Sequence, residues 1–228
     1  MSLTIAARFA RRELRGGLRG FRIFLACLTL GVAAIAGVGS IRAGIEAGLV
    51  QEGAALLGGD AEMEFTYRFA SEEERAWMAE TAENLSEIAE FRSMAVVGDE
   101  RGLTQVKAVD DMYPLVGTVR LMPDMPLPTA LDGAGGLPGA VMDRVLIDRM
   151  GLAIGDSFKL GTQDFHLMAV LANEPDSAAS GFGLGPRTIV RTNALKNSGL
   201  LVPGSLFDAK YRLTLPEGTN LETTKAAA

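Results

Sequence analysis

The sequence is poor in the residues from which most active sites are built, with one cysteine, Cys27, and one histidine, His166, among 228 residues. A lone thiol forms no intrachain disulfide, which excludes a disulfide-stapled secreted scaffold. One histidine and one thiol put zinc sites of the usual nitrogen and sulfur kind out of reach. There is no Gly-x-x-x-x-Gly-Lys phosphate loop, and Gly181-Phe182-Gly183-Leu184-Gly185 lacks the strand–turn–helix setting of a dinucleotide fingerprint. We therefore expect neither metal nor cofactor, and any nucleotide belongs to a partner. Positive charge is also scarce, with 22 Lys and Arg against 28 Asp and Glu. Nucleic-acid backbones need a basic footprint, so nucleic acid is not expected as a partner.

The charge that is present is unevenly placed. The first 22 residues carry six arginines (Arg8, Arg11, Arg12, Arg15, Arg19 and Arg22) against Glu13 alone, whereas the chain from Arg42 onward is acidic. Between them, Ile23 to Ile41 is a run of 19 residues without a charge. As a helix it would measure about 28 Å, the thickness of a bilayer core. Only Thr29 and Ser40 are polar side chains in it, so it lacks the polar face of a soluble helix. Arginine-rich flanks stay on the cytoplasmic side, so residues 1–22 are expected inside and everything after Arg42 outside. The rival is a cleaved signal peptide, suggested by Arg11-Arg12 and the small residues near Ala43-Gly44, but the apolar run is longer than a signal core.

Ala33 with Gly37 and Ala36 with Ser40 form small-xxx-small pairs on one face of that span, a pattern that lets helices approach closely and points to neighbouring spans. Residues 2–20 read as a basic amphipathic helix on the cytoplasmic leaflet, with Gly16, Gly17 and Gly20 forming a bend. Residues 42–57 continue as a helical stalk up to Gly58-Gly59.

Beyond the stalk the pattern is mixed. Ala61, Met63 and Phe65 alternate with polar residues as in a half-buried strand, and Ser71-Glu72-Glu73-Glu74 is a capping box opening a helix. Strands are expected at Ile88–Val97 and Leu103–Val109, joined by the Gly98–Gly102 turn. Residues 122–139 hold four prolines and four glycines and read as a loop dividing a lobe at 58–121 from a further stretch of the same domain at 140–216. There the spacing predicts a helix over Val141–Met150, strands at Phe158–Leu160, Phe165–Leu171, Thr188–Arg191 and Tyr211–Leu215, and a short helix near Asn193–Ser198. Residues 217–228 read as the first turns of a helix too short to stand alone, so the sequence is expected to be a fragment. The fold class is α+β behind one N-terminal transmembrane helix.

The acidic run at Ser71–Glu74 is accounted for by capping. Gly155-Asp156-Ser157-Phe158 is similar to the nucleophile block of the GDSL hydrolases, but Gln163 stands three residues before His166 where those enzymes have aspartate. Nucleophile and base would share one short hairpin with no oxyanion site, so no enzymatic activity is expected.

Several blocks, in order, resemble the N-terminal region of FtsX-like, MacB-type ABC-transporter permeases of the YbbP-like branch. They are Arg11-Arg12-Glu13-Leu14-Arg15, Leu57-Gly58-Gly59-Asp60, Lys107-Ala108-Val109-Asp110 leading into Tyr113-Pro114-Leu115, Leu152-Ala153-Ile154-Gly155-Asp156, Glu174-Pro175-Asp176, Gly185-Pro186-Arg187 and Pro203-Gly204-Ser205. The resemblance implies a bacterial inner-membrane permease subunit with a periplasmic, MacB-like core domain. It also implies a separate cytoplasmic ATP-binding subunit, a second permease copy and contact with membrane lipid. Family members have several spans, and this sequence shows one. Glu174, Asp176 and Arg187 are candidate partner contacts if exposed, and an internal ion pair if not. The alternative function is a single-span anchored periplasmic binding or sensor module.

Overall fold

The computed structural model describes residues 3–176, 185–202, 204–216, 218–219 and 224. The chain divides into two compact units, Met1–Gln51 and Glu52–Ala228.

Helix α1 (Leu3–Leu57) fills the first unit and runs on into the second. The helix is not interrupted at Gly16, Gly17 or Gly20, and segments 3–22, 23–41 and 42–57 are stretches of one helix. Each glycine costs a helix only about 1 kcal/mol, and the surrounding Arg and Leu are good helix formers. Phe21–Ile45 is long and apolar enough to cross a membrane, with a mean hydropathy of 2.1 and none of it buried inside the protein. That exposure removes the soluble core-helix reading, since a core helix hides its apolar side chains. The hydroxyl of Thr29 donates to the Leu25 carbonyl at 2.7 Å, so this polar group is satisfied within the helix.

The second unit is built on one nine-stranded sheet. Its strands are β1 (Ala61–Thr66), β2 (Asn84–Val97), β3 (Glu100–Val109), β4 (Arg120–Met122), β5 (Gly139–Asp143), β6 (Ser157–Leu160), β7 (Gln163–Asn173), β8 (Arg187–Arg191) and β9 (Asp208–Thr214). The order is β1-β9-β2-β3-β8-β5-β7-β4, and β6 pairs with both β2 and β7. Those last pairings close a ring, β2-β3-β8-β5-β7-β6. β2 is long enough to serve two neighbours on one edge, β9 along Asn84–Glu90 and β6 at Ala95 and Val96.

Every ring strand contributes to one apolar cluster, including Phe91, Val106, Met142, Phe158, Phe165 and Val190. Each such side chain contributes about 1.5–3 kcal/mol when fully buried. On the opposite face Ile88, Val109, Val141 and Ile189 pack with Leu127, Ala130 and Leu131 of helix α3 (Leu127–Asp132). Strand β5 is therefore apolar on both sides, and its five residues read equally well as strand or helix. The helix expected over Val141–Met150 accordingly starts as strand for three residues: Asp143 ends β5 and caps α4 (Arg144–Met150), accepting from the Val145 amide at 3.3 Å.

Residues 122–139 are not a plain loop, since they contain the end of β4, all of α3 and the start of β5. Nor do they separate one sheet from another, because β2, β3, β5 and β7 belong to the same one. Gly139 shows why this stretch is glycine-rich, since a Cβ there would lie 1.8 Å from the Ala130 carbonyl oxygen. The capping box forms as expected: Ser71 accepts from the Glu74 amide and Glu74 from the Ser71 amide, opening α2 (Glu72–Thr81). The helix expected over residues 217–228 lies largely outside the described residues.

Candidate functional site

Strand periodicity sets the site. On β3, Val106 and Ala108 turn to the ring interior, so Lys107 between them turns to the other face. The register sets Lys107 opposite Glu90 of β2, Arg187 of β8 opposite Gln105, and Arg212 of β9 opposite Glu62 of β1. Charged side chains of five strands thus share one face, and Glu174, Pro175 and Asp176 follow β7 onto it.

The result is a buried ionic network. The Lys107 ammonium, fully buried, pairs with Glu174, with Asp176 at 2.9 Å and with Glu90 at 3.7 Å. Asp176 also pairs with Arg212, whose Nε reaches Glu62 at 2.9 Å. Arg187 bridges Glu90 at 3.1 Å and Glu174 at 3.3 Å, and Lys210 reaches Glu90 at 3.1 Å. The Tyr113 hydroxyl, with one proton to donate, lies 2.8 Å from an Asp176 oxygen and 3.2 Å from a Glu174 oxygen. Among the described residues Lys107, Arg187, Lys210 and Arg212 face Glu62, Glu90, Glu174 and Asp176, four charges of each sign.

Burial lowers the Lys107 ammonium to about 8, against the opposing pull of Glu174 and Glu90. Burial would raise Glu90, but Lys107, Lys210 and Arg187 outweigh it and hold the carboxyl at about 2. Burial and the neighbouring Glu174 push Tyr113 up, so it stays a neutral donor. The depressed Glu90 contributes stability above its ordinary value of 4.5 and loses it as pH falls from there toward about 2. We therefore predict that the urea midpoint falls across that acid window in the wild type. A Glu90→Gln variant starts less stable and falls less steeply there.

Of the candidate residues, Glu174 and Asp176 are buried and Arg187 is nearly so. They take the internal ion-pair alternative: strand β8 and the turn after β7 bring these groups inward, and Arg187 pairs with Glu174 at 3.3 Å. Lys107, Glu90, Lys210, Arg212 and Glu62 were not singled out from the sequence, although a charge inside Val106-Lys107-Ala108-Val109 or Tyr211-Arg212-Leu213 is the available signal.

Five of the ordered blocks meet here. Gly58 sits against Arg212 and Asp176; Asp110 accepts from the Ser86 hydroxyl at 2.8 Å and from the amides of Glu87, Met112 and Tyr113; Pro186 accepts from Thr104 at 2.9 Å. The amide of Asp60 donates to the Leu213 carbonyl, and its carboxylate accepts from the Leu215 amide, both at 2.8 Å. The segment leading out of α1 and the segment following β9 therefore lie side by side.

Ala33, Ala36, Gly37 and Ser40 are exposed along α1. Ser157 and His166 face each other as cross-strand partners of β6 and β7, the shared hairpin expected from the sequence. The dinucleotide-like glycine run lies outside the described residues except for Gly185. Among the described residues no group of three His, Cys, Asp or Glu is arranged to hold a metal ion.

An apolar N-terminal helix followed by a mixed α+β domain that carries these ordered blocks is similar, along most of the chain, to an ABC transporter permease. The curated relative is the uncharacterized ABC transporter permease YbbP of Escherichia coli K12, 28% identical over 188 residues. The match covers 81% of this chain and 22% of that protein. No protein-family model matches. Among solved structures, the periplasmic region of MacB from Actinobacillus actinomycetemcomitans aligns at 10% identity and TM-score 0.45, covering 74% of this chain and 81% of that one. The extracellular domain of the noncanonic ABC-type transporter YknZ from Gram-positive bacteria aligns at 13% identity and TM-score 0.45, covering 72% and 78%. The relationship rests on the sequence match.

Proposed function

We propose that the chain belongs to a permease subunit that relays ATP-driven motion through the membrane to its α+β domain, for export or for lipid or lipoprotein work. The observation that carries this reading is the match to a permease along most of the chain. The hydrogen bonds of Asp60 with Leu213 and Leu215 support it, because a push on the segment leaving α1 is passed through them to β9 and, through the next residue, to β1. In this reading a separate cytoplasmic subunit binds the ATP and a second permease copy completes the assembly. Ala33, Ala36, Gly37 and Ser40 pack against neighbouring spans, and lipid surrounds the rest. The membrane is the bacterial inner membrane, with the N-terminus cytoplasmic and the α+β domain periplasmic.

Affinity purification from the native membrane tests this reading. The expected product is a dimer carrying a vanadate-sensitive ATPase subunit; a monomer without ATP hydrolysis favours the anchored binding module instead.

A further inference from the structure

The arginines that precede the apolar span share one face of α1. At about 100° per residue, positions 8, 11, 12, 15, 19 and 22 of this helix fall within a single sector about 100° wide, and all six are arginine. No other position between 8 and 22 shares that sector, and the first 22 residues hold no lysine and no arginine outside it. A cytoplasmic N-terminus does not require this arrangement, because the positive-inside preference counts Lys and Arg alike and is blind to their face.

Lipid headgroups do not match the stripe. The helix is unbroken from Leu3 to Leu57 and its apolar span begins at Phe21. At about 1.5 Å per residue, Arg8, Arg11 and Arg12 stand about 14–20 Å from Phe21 along the axis. Headgroups extend only about 5–8 Å beyond the hydrocarbon core, and a tilt of about 20° changes the comparison little. Ala6, Ala10, Glu13 and Gly17 occupy the sector opposite the arginines, where a helix lying on a leaflet needs large apolar residues. The apolar residues border the stripe instead, Ile5 and Phe9 along one side and Leu14 and Leu18 along the other, and Ile5 and Phe9 are exposed. A phosphate backbone would use the charge and leave those borders idle, whereas a groove in a protein uses both.

We propose that this stripe docks into an acidic groove of a cytoplasmic protein, with Asp and Glu taking the guanidinium forks and an apolar rim taking Ile5, Phe9, Leu14 and Leu18. The inference rests on the membrane placement proposed above and not on ATP-driven motion.

The test uses the full chain in its native cells, with the photoreactive residue benzoylphenylalanine placed in turn at positions 9 and 18 beside the stripe and at positions 6 and 17 opposite it. Irradiation is expected to join positions 9 and 18 to a protein, through a peptide with a surplus of Asp and Glu, and to leave positions 6 and 17 without adduct. A variant combining Arg8→Ala and Arg12→Ala with Ala6→Arg and Ala10→Arg keeps the composition and net charge but breaks the stripe. It is expected to lower the yield at position 18 about tenfold, the worth of two exposed charge contacts. Adducts to lipid or nucleic acid, equal protein adducts on both faces, attachment to a peptide without an acidic surplus, no adduct, or an unchanged yield in the rearranged variant each overturn the proposal. Accessibility of Thr4→Cys to an impermeant maleimide, measured in parallel, reports separately whether the membrane placement has failed, in which case the proposal falls with it.

Discussion

Asp176→Ala lowers the stability of the α+β domain by about 3–5 kcal/mol, the usual cost of breaking a buried ion pair from one side. The carboxylate is fully buried, and it serves Lys107, Arg212 and the Tyr113 hydroxyl together. Its loss takes a carboxylate from both Lys107 and Arg212, leaving four cations against three carboxylates in the network among the described residues. Urea unfolding of the whole chain in micelles, followed through Trp77 of α2, measures the change. Asp99→Ala, on the exposed turn between β2 and β3, should change stability by less than about 0.5 kcal/mol. Equal effects of the two substitutions would mean that the network contributes nothing.

Gly58→Ala is expected to cost about 2–4 kcal/mol, for two separable reasons. Its φ of 74° lies in the left-handed region, which an L side chain adopts only with strain. A Cβ there would also stand 2.5 Å from Nη1 of Arg212. The guanidinium must then retreat from Asp176, so the damage reaches the network. Combining Gly58→Ala with Asp176→Ala separates the two contributions. If the costs simply add, the glycine acts through backbone strain alone; if the double variant loses less than the sum, the two residues act through Arg212.

Much of the fold was legible because local signals agree with the tertiary outcome. Met63 and Phe65 alternate as β1 requires, and the Ser71 capping box opens α2. The readings failed where tertiary context overrides local pattern. Val141 and Met142 face opposite apolar clusters, so β5 has no alternation to betray it. Strand β2 begins at Asn84 rather than at Ile88, because Asn84 and Leu85 pair with β9. The ionic network was half visible. Glu174, Asp176 and Arg187 stood out in their blocks, but nothing local shows that Glu174 and Asp176 meet Lys107 of β3 and Arg212 of β9. Lys107 and Arg212 lie 105 residues apart in sequence, and only the strand order β9-β2-β3 brings them to one carboxylate.

The central proposal is that the N-terminal helix crosses the membrane, with a cytoplasmic end and a periplasmic α+β domain. With Cys27 replaced by alanine, single cysteines are placed by Thr4→Cys near the N-terminus and by Asp99→Cys on the β2–β3 turn. Intact cells with a permeable outer membrane are then treated with a membrane-impermeant maleimide. The account predicts labelling of the Asp99→Cys protein in intact cells and of the Thr4→Cys protein only after the inner membrane is opened. Labelling of both before opening, or of the Thr4→Cys protein alone, would contradict it.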